Sequence, residues 1–283
     1  MANPKILELY FAIKSKNYQL IKDILRNGCN IDARFRDSTA LSVAILSDDV
    51  EIVDILLEGG ANPDLRSRDP SGRLEPPIVS ACRKGNFKIV QLLLVWSADI
   101  NATDFYGHTA LWVACKHLYI EIIDLLLENG AGPRTPSLWS ECPLYATTKE
   151  METSVQTRET IAKKLILAGF RSKCKDKLGR DAFYWSVLNG SNKTAILILR
   201  SGYRPTRKII NENEQLFTKM SLDFLELLVD TVENIPSLLE LSKLVVCDRV
   251  QSTTERRQIR ALISNLELPR TLVRYLLKDP FDV

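Results

Sequence analysis

The sequence predicts an all-α fold in which pairs of short helices repeat along the chain and stack into a solenoid. Three observations support this prediction. A Leu-rich segment recurs about every 33 residues, a shorter segment with a small residue at a fixed place precedes the copies, and glycine ends most of them. Of the 283 residues, 45% are apolar, which is enough to bury a continuous core.

The Leu-rich segment predicts the second helix of each pair. Its clearest copies read IVDILLEGGANPD, IVQLLLVWSADIN and IIDLLLENGA, at 52–64, 89–101 and 122–131. Weaker copies begin at Leu20 and lie around 165–169 and 198–202. The turn positions 28, 60, 97, 130, 169 and 202 are 32, 37, 33, 39 and 33 residues apart. We therefore predict about six repeats over residues 1–205, two of them with insertions.

A shorter first helix is predicted before each Leu-rich one. Its opening reads TALSVA from Thr39 and TALWVA from Thr109, and Ala44 and Ala114 allow the two helices of a repeat to approach closely. These openings resemble the T-P-L-H-x-A motif of ankyrin repeats, and DFYGHT at 104–109 is similar to the D-x-x-G-x-T turn of that family. The resemblance covers about residues 5–203 and implies an ankyrin-repeat solenoid.

Two departures from the ankyrin pattern lead to separate expectations. The histidine of the motif is replaced by Ser42, Val79, Trp112, Tyr145 and Tyr184, so we expect its hydrogen bonds between loops to be absent. Insertions are predicted at 67–75 and 148–158. Each insertion either contacts a partner or is a tolerated surface loop, and the sequence leaves both interpretations open.

The periodicity stops after Pro205. Residues 206–234 keep helical apolar spacing and are predicted to form a connector that covers the last repeat, through Leu216, Met220, Phe224, Leu227 and Leu228. In the next segment, Pro236 suits the first turn of a helix, and apolar residues follow on one face of it.

Two segments of this tail resemble the SOCS box. SLLELSKLVV from Ser237 is similar to the S-L-x-x-L-C-R-x-x-I opening, and LELPRTLVRYLL from Leu266 is similar to the L-P-L-P-x-x-L-x-x-Y-L-L ending. The resemblance identifies the chain as a member of the ankyrin repeat and SOCS box family, with a three-helix SOCS box at 235–283. The alternative is that residues 236–277 only cap the solenoid.

The SOCS resemblance implies a substrate receptor of a ubiquitin ligase. It implies contacts with elongin C, which elongin B accompanies, through Leu238, Leu241, Ser242, Val245 and Val246. It implies contacts with a cullin, usually cullin-5 with its RING protein, through Leu266, Leu268 and Pro269. Because Ser242 replaces the usual cysteine and Glu267 the first proline, we expect weaker elongin binding and leave the choice of cullin open. The competing function is a scaffold or inhibitor without ubiquitin transfer.

Alignment of the repeats predicts a target-binding surface on the inner helices and the loops between repeats, here called fingers. Its residues are Phe35, Arg36, Arg83, Lys84, Phe105, Tyr106, Lys116, His117, Lys177 and Arg180. Basic side chains are numerous in this set and acidic ones are missing, so an acidic or phosphorylated partner segment is one interpretation. An ordinary solvated face is the other.

Several other classes are disfavoured. A net charge of +3 is too small to imply nucleic-acid or membrane binding, and the chain has neither a signal-peptide pattern nor a long apolar run. We therefore expect a protein of the cytoplasm or the nucleus. Six dispersed cysteines and two histidines predict no metal site, and no catalytic or cofactor-binding motif is found. We expect no enzymatic activity and no cofactor.

Overall fold

The structure is a computed structural model that describes residues 4–231, except 69–70, 133–141, 150–153, 172–173, 177, 207–208, 211–216 and 218–219. Its first helices in each repeat, the inner helices, are α1 (Pro4–Lys14), α3 (Ala40–Leu46), α5 (Pro77–Lys84), α7 (Ala110–Lys116), α9 (Pro143–Lys149) and α11 (Ala182–Leu188). The outer helices are α2 (Tyr18–Arg26), α4 (Val50–Glu58), α6 (Phe87–Val95), α8 (Ile120–Glu128), α10 (Val155–Leu167) and α12 (Asn192–Arg200). A further helix, α13 (Leu222–Thr231), follows them.

The helices form two parallel rows. Each inner helix packs on its outer partner and on the next inner helix, from α1 to α11. The outer row follows the same order, and the Lys164 ammonium of α10 lies 2.5 Å from the Asp124 carboxylate of α8. The small residues predicted to let the helices approach are buried, with Ala44 and Ala114 both 0% exposed. The predicted solenoid is therefore the observed architecture of the described repeats.

Side-chain caps fix where many of the helices begin. Thr39 accepts a hydrogen bond from the Ser42 amide, and the Ser42 hydroxyl accepts one from the Thr39 amide, which is a capping box. Thr109 caps α7 and Asp181 caps α11 in the same position of their repeats. The motif that marked repeat openings in the sequence is thus a helix start.

The turns that follow the outer helices adopt the left-handed backbone that their glycines predict. Gly60 and Gly130 have φ of 90° and 85°. Ser97 occupies the same place in the third repeat, with φ of 60°. A residue with a Cβ atom therefore holds a strained conformation at one turn of the series.

The first insertion is a finger with a small β hairpin, which an all-α prediction does not include. Strand β1 (Ser67–Arg68) pairs antiparallel with β2 (Leu74–Glu75), with Ser67 opposite Glu75. The hairpin is joined to the preceding repeat, since the hydroxyls of Thr39 and Ser67 lie 3.0 Å apart.

The bounds predicted for the second insertion, 148–158, are wrong at both ends. Thr148 belongs to α9, and α10 already begins at Val155. Polar residues can lie in these helices because their side chains form local hydrogen bonds or are buried within the stack. The Thr148 hydroxyl donates to the Leu144 carbonyl at 3.1 Å, and Arg158 is only 5% exposed. Residues 150–153 lie outside the described part of the chain.

Helix α13 packs on α12 and buries aromatic and aliphatic side chains there. The rings of Phe217 and Phe183 each lie 6.1 Å from the ring of Phe224, measured between centroids. Met220 and Leu228 are also buried. The last repeat is therefore covered on this side by residues that follow it in the chain. Among the described helices none is long and apolar enough to cross a bilayer.

Candidate protein-binding surface

The inner helices and the fingers share one face of the solenoid, here called the inner face. It carries exposed aromatic and aliphatic side chains as well as basic ones. Phe11 is 65% exposed on α1, and Phe105 and Leu178 are 64% and 74% exposed in two fingers. Exposed apolar groups among cations are typical of protein-binding surfaces.

A cleft of about 290 Å³ lies in the middle of the inner face, between the hairpin finger and the finger before α7. At its base Arg83 forms an ion pair with Glu75, with Nη2 and Oε1 2.6 Å apart. The same Nη2 atom lies 3.4 Å from Asp104 Oδ2. Both carboxylates are almost fully buried, so Arg83 compensates charges that would otherwise be costly.

Asp104 organises the finger before α7. Its Oδ1 accepts hydrogen bonds from the amides of Tyr106 and His108, at 2.8 and 2.9 Å, and its Oδ2 lies 3.2 Å from His108 Nδ1. Burial acts to raise the pKa of the Asp104 carboxyl, but these hydrogen bonds outweigh it and hold the pKa below the ordinary 3.8. The carboxylate is therefore charged at neutral pH, and the finger is rigid around it.

Aromatic rings and cations alternate across the C-terminal half of the inner face. His108 stacks on Trp112, with ring centroids 3.6 Å apart, and Lys116 lies 5.4 Å from the centre of the Trp112 ring. In the next repeat Lys149 lies 5.4 Å from the Tyr145 ring. Such pairs hold the ammonium groups in place above apolar surface.

The structure divides the predicted basic target-binding residues into two groups. Arg83 and Arg180 form ion pairs within the chain, Arg180 with Asp176 at 2.7 Å. Lys84 and Lys116 are exposed, and no carboxylate within the described residues lies at ion-pair distance from them. Glu75, Asp104 and Asp176 lie outside the predicted set and pair with these arginines, although their own side chains are largely buried.

A second cavity, of about 340 Å³, lies at the N-terminal end of the inner face and is here called the N-terminal groove. Its lining residues are Leu7, Tyr10, Phe11, Lys14, Phe35, Arg36, Ser38 and Val43. The predicted residues Phe35 and Arg36 are brought together here, with the guanidinium carbon 5.4 Å from the ring centroid. Leu7 and Phe11 were not predicted, although their spacing of four residues on one helix face was a signal for them.

At some positions where the ankyrin histidine is missing, other side chains form hydrogen bonds that join neighbouring repeats. The Tyr145 hydroxyl donates to Asp176 Oδ2 in the following finger, at 3.3 Å. Tyr10, in the same position of the first repeat, donates to the Ser38 carbonyl of its following finger. Ser42 acts through Thr39, whose amide also donates to the Ser67 hydroxyl at 3.2 Å. In these repeats a tyrosine hydroxyl, or a serine that acts through Thr39, takes the place of the histidine.

Of the remaining predicted site residues, the structure describes Tyr106 and His117. Tyr106 is half-buried and lies edge-on to Phe105, and His117 is exposed and stacks on Tyr119 at 5.6 Å. Lys177 lies outside the described residues. So do all the predicted elongin- and cullin-binding residues, namely Leu238, Leu241, Ser242, Val245, Val246, Leu266, Leu268 and Pro269.

The cysteines of the described region behave as small core residues where they are buried. Cys82 and Cys115 are 0% exposed, and burial raises the pKa of both thiols far above the usual range. No group of three or more His, Cys, Asp or Glu side chains that could hold a metal ion occurs among the residues described.

Comparisons with known proteins agree with this architecture. A family model for ankyrin repeats (3 copies) matches residues 9–104 and 65–137. The chain is similar to an ankyrin repeat domain from Acinetobacter baumannii AYE, with 27% identity and a TM-score of 0.63 over 69% of this chain and 97% of that one.

Two curated relatives match shorter stretches. The probable E3 ubiquitin-protein ligase XBOS33 of Oryza sativa subsp. japonica is 43% identical over 56 residues, which is 20% of this chain. The inactive serine/threonine-protein kinase TEX14 of Bos taurus is 34% identical over 125 residues, which is 44% of this chain. These matches span 11% and 8% of the relatives' own lengths. Residues 9–137 therefore match ankyrin repeats, and the described stack of helix pairs has the ankyrin-repeat solenoid fold.

Proposed function

We propose that this protein is the target-binding subunit of an elongin–cullin ubiquitin ligase. In this role the inner face of the ankyrin repeats holds a target protein, and residues 235–283 bind elongin C with elongin B and a cullin, cullin-5 with its RING protein. The chain contributes no catalytic group. It acts by holding the target close to a ubiquitin-charged enzyme, which raises the effective concentration of the two.

The observation that carries this proposal is the order of three sequence features. An ankyrin array is followed by a segment similar to the SOCS box opening, from Ser237, and then by one similar to its ending, from Leu266. The plant relative named a probable E3 ubiquitin-protein ligase supports a link between such repeats and ubiquitin transfer, over 56 residues.

The proposed elongin contact is an apolar one. The spacing of Leu238, Leu241 and Val245 predicts that they share one face of a helix, and their transfer into a partner's groove would supply about 1.5–3 kcal/mol for each fully buried side chain. A charged residue at Leu238 would oppose this transfer, because an unpaired carboxylate in an apolar site is strongly unfavourable.

The test is co-purification of elongins B and C with the full chain. We expect both to be retained by the wild type and lost with Leu238→Asp. The matched control is Leu167→Asp, which places the same charge on a leucine that is 76% exposed at the end of α10. Circular dichroism checks that both variants fold. Absence of elongins from the wild type, or their equal retention by Leu238→Asp, would contradict the proposal.

A scaffold or inhibitor without ubiquitin transfer is the second candidate. It is favoured by the fact that the described residues lining the cleft and the N-terminal groove all precede residue 117. The two candidates differ in the fate of a captured target. Proteasome inhibition raises the level of a target that is ubiquitinated through this protein, and it leaves the level of a merely blocked partner unchanged.

A further inference from the structure

We propose that the N-terminal groove is a binding site for a partner segment with one large apolar side chain flanked by carboxylates. The apolar side chain would enter between Phe11 and Phe35, and the flanking carboxylates would pair with Lys14 and Arg36 at the rim. The proposal rests on the target-binding role described above, but not on the recruitment of elongin.

The groove is already formed without a ligand. The Tyr10 hydroxyl donates to the Ser38 carbonyl and accepts from the Phe35 amide, at 3.4 Å for the latter bond. Burial raises the pKa of Tyr10 to about 12, so this hydroxyl stays protonated. The rings of Tyr10 and Phe35 lie 5.2 Å apart. A ligand would therefore meet an ordered floor and lose little conformational entropy of the protein.

Apolar side chains that line the groove remain exposed to solvent in the folded protein. Leu7 and Phe11 lie one helical turn apart on α1 and are 38% and 65% exposed, while Leu9 and Ala12 between and beside them are both 1% exposed. Val43 on α3 faces the same cavity. One helix thus has a buried face for the solenoid and a separate apolar face toward the groove.

The cations at the rim are available for anions. No carboxylate among the described residues lies within ion-pair distance of Lys14 or Arg36. The acidic neighbour of Arg36 in the chain, Asp37, pairs instead with Arg68, at 3.1 Å. Charge complementarity therefore favours a ligand with acidic groups on either side of its apolar anchor, and disfavours a basic one.

The position of Arg36 has a conformational cost. Arg36 and Asp37 form the centre of a tight turn between Phe35 and Ser38, and both have positive φ, of 50° and 63°. The fingers before α7 and α11 place glycine in their turns, Gly107 and Gly179. A residue with a Cβ atom at φ of 50° is strained, so arginine holds this place at the expense of stability.

The probes are synthetic peptides with one phenylalanine between glutamates in a Gly/Ser background. Their binding to the full chain is followed by the methyl NMR signals of Val43. We expect a saturable shift. Replacing phenylalanine by alanine, or the glutamates by lysines, should weaken binding on the order of tenfold or more. Equal binding of the lysine-flanked peptide, or no saturable shift with the glutamate-flanked one, would overturn the proposal.

Two variants separate the site from the fold. Arg36→Gly removes the cation and the strain together, so we expect the thermal midpoint to be kept or raised and peptide binding to weaken several-fold. The matched control is Asp37→Gly, which relieves the same turn and keeps the cation, and it should retain binding. Unchanged binding in Arg36→Gly would contradict the assignment of Arg36 to the site.

Other occupants of the groove are distinguished by the same samples. Self-association that Phe11→Ser abolishes, measured by sedimentation velocity, would show that a second copy fills the groove and would overturn the proposal. Contacts between Val43 and any of residues 232–283 of the same chain in the free protein would do the same. Absence of elongins from wild-type protein that still binds the peptide would overturn the ligase role alone.

Discussion

The guanidinium of Arg83 on α5 joins two carboxylates from different fingers, Glu75 at 2.6 Å and Asp104 at 3.4 Å. The sequence predicted that Arg83 binds a ligand. In the structure its ion pairs hold the hairpin finger against the next repeat. Its side chain is 45% exposed while those of the acids are 6% and 5% exposed. The arginine therefore lies over the acids and shields them from water.

We predict that Arg83→Met destabilises the fold by about 2 kcal/mol, because two buried carboxylates lose their counter-charge. Urea unfolding measures this change. The neighbouring variant Lys84→Met, which breaks no ion pair among the described residues, should stay within about 0.5 kcal/mol of the wild type. Equal effects of the two variants would show that the Arg83 ion pairs do not stabilise the solenoid.

Tyr145→Phe tests the hydrogen bond that replaces the ankyrin histidine. Removing the hydroxyl leaves Asp176 with one donor fewer, and we expect a loss of about 1 kcal/mol in the free energy of unfolding. Tyr184→Phe is the matched control, since Tyr184 occupies the equivalent place in the last repeat and its hydroxyl makes no hydrogen bond within the described region. If both variants lose the same stability, the link from Tyr145 to the next finger contributes nothing.

Ser97→Gly should stabilise the protein by about 1 kcal/mol, because serine holds a left-handed backbone, φ of 60°, where the other repeats have glycine. The reverse change, Gly130→Ser, should cost a similar amount. A Cβ atom at Gly130 would meet no heavy atom within 4 Å, so the cost is purely conformational. Thermal unfolding of both variants measures the effect, and shifts of the same sign would refute it.

Acid should destabilise the fold through Asp104 and Asp176. Hydrogen bonds hold the pKa of each below the ordinary 3.8 in the folded state, despite burial. Since the folded pKa is the lower one, the contribution to stability is present above the unfolded pKa and is lost as pH falls below it. Urea midpoints between neutral pH and about pH 3 measure this loss.

Asp176→Asn should flatten that acid dependence, while Glu58→Gln, at an exposed end of α4, should leave its slope nearly unchanged. An unaltered slope in Asp176→Asn would mean that Asp176 is not among the groups responsible.

The local features of the repeats were accessible from the sequence because each depends on a few neighbouring residues. Helical spacing of leucines, threonine before a helix and glycine after one are fixed by the backbone of a single repeat. The second insertion was misplaced because the polarity of 148–158 was taken as a sign of exposure. Thr148 and Arg158 are instead buried, at 4% and 5% exposure.

The make-up of the inner face was predicted only in part, for a related reason. Alignment of the repeats placed Phe35, Arg36 and Lys116 on this face, whereas Phe11 and Lys149 were omitted. Arg83 was given an open charge because its partners are 8 and 21 residues away in the chain. No pattern within one repeat indicates which cation a neighbouring finger will neutralise.

The sequence alone determined the repeat type and the order of the helix pairs, since a period of about 33 residues leaves each apolar stripe no partner except the next repeat. Among the described residues, the tertiary structure decided which cations form ion pairs and where an apolar groove stays open. Those properties depend on distances between side chains of different repeats, which stacking creates.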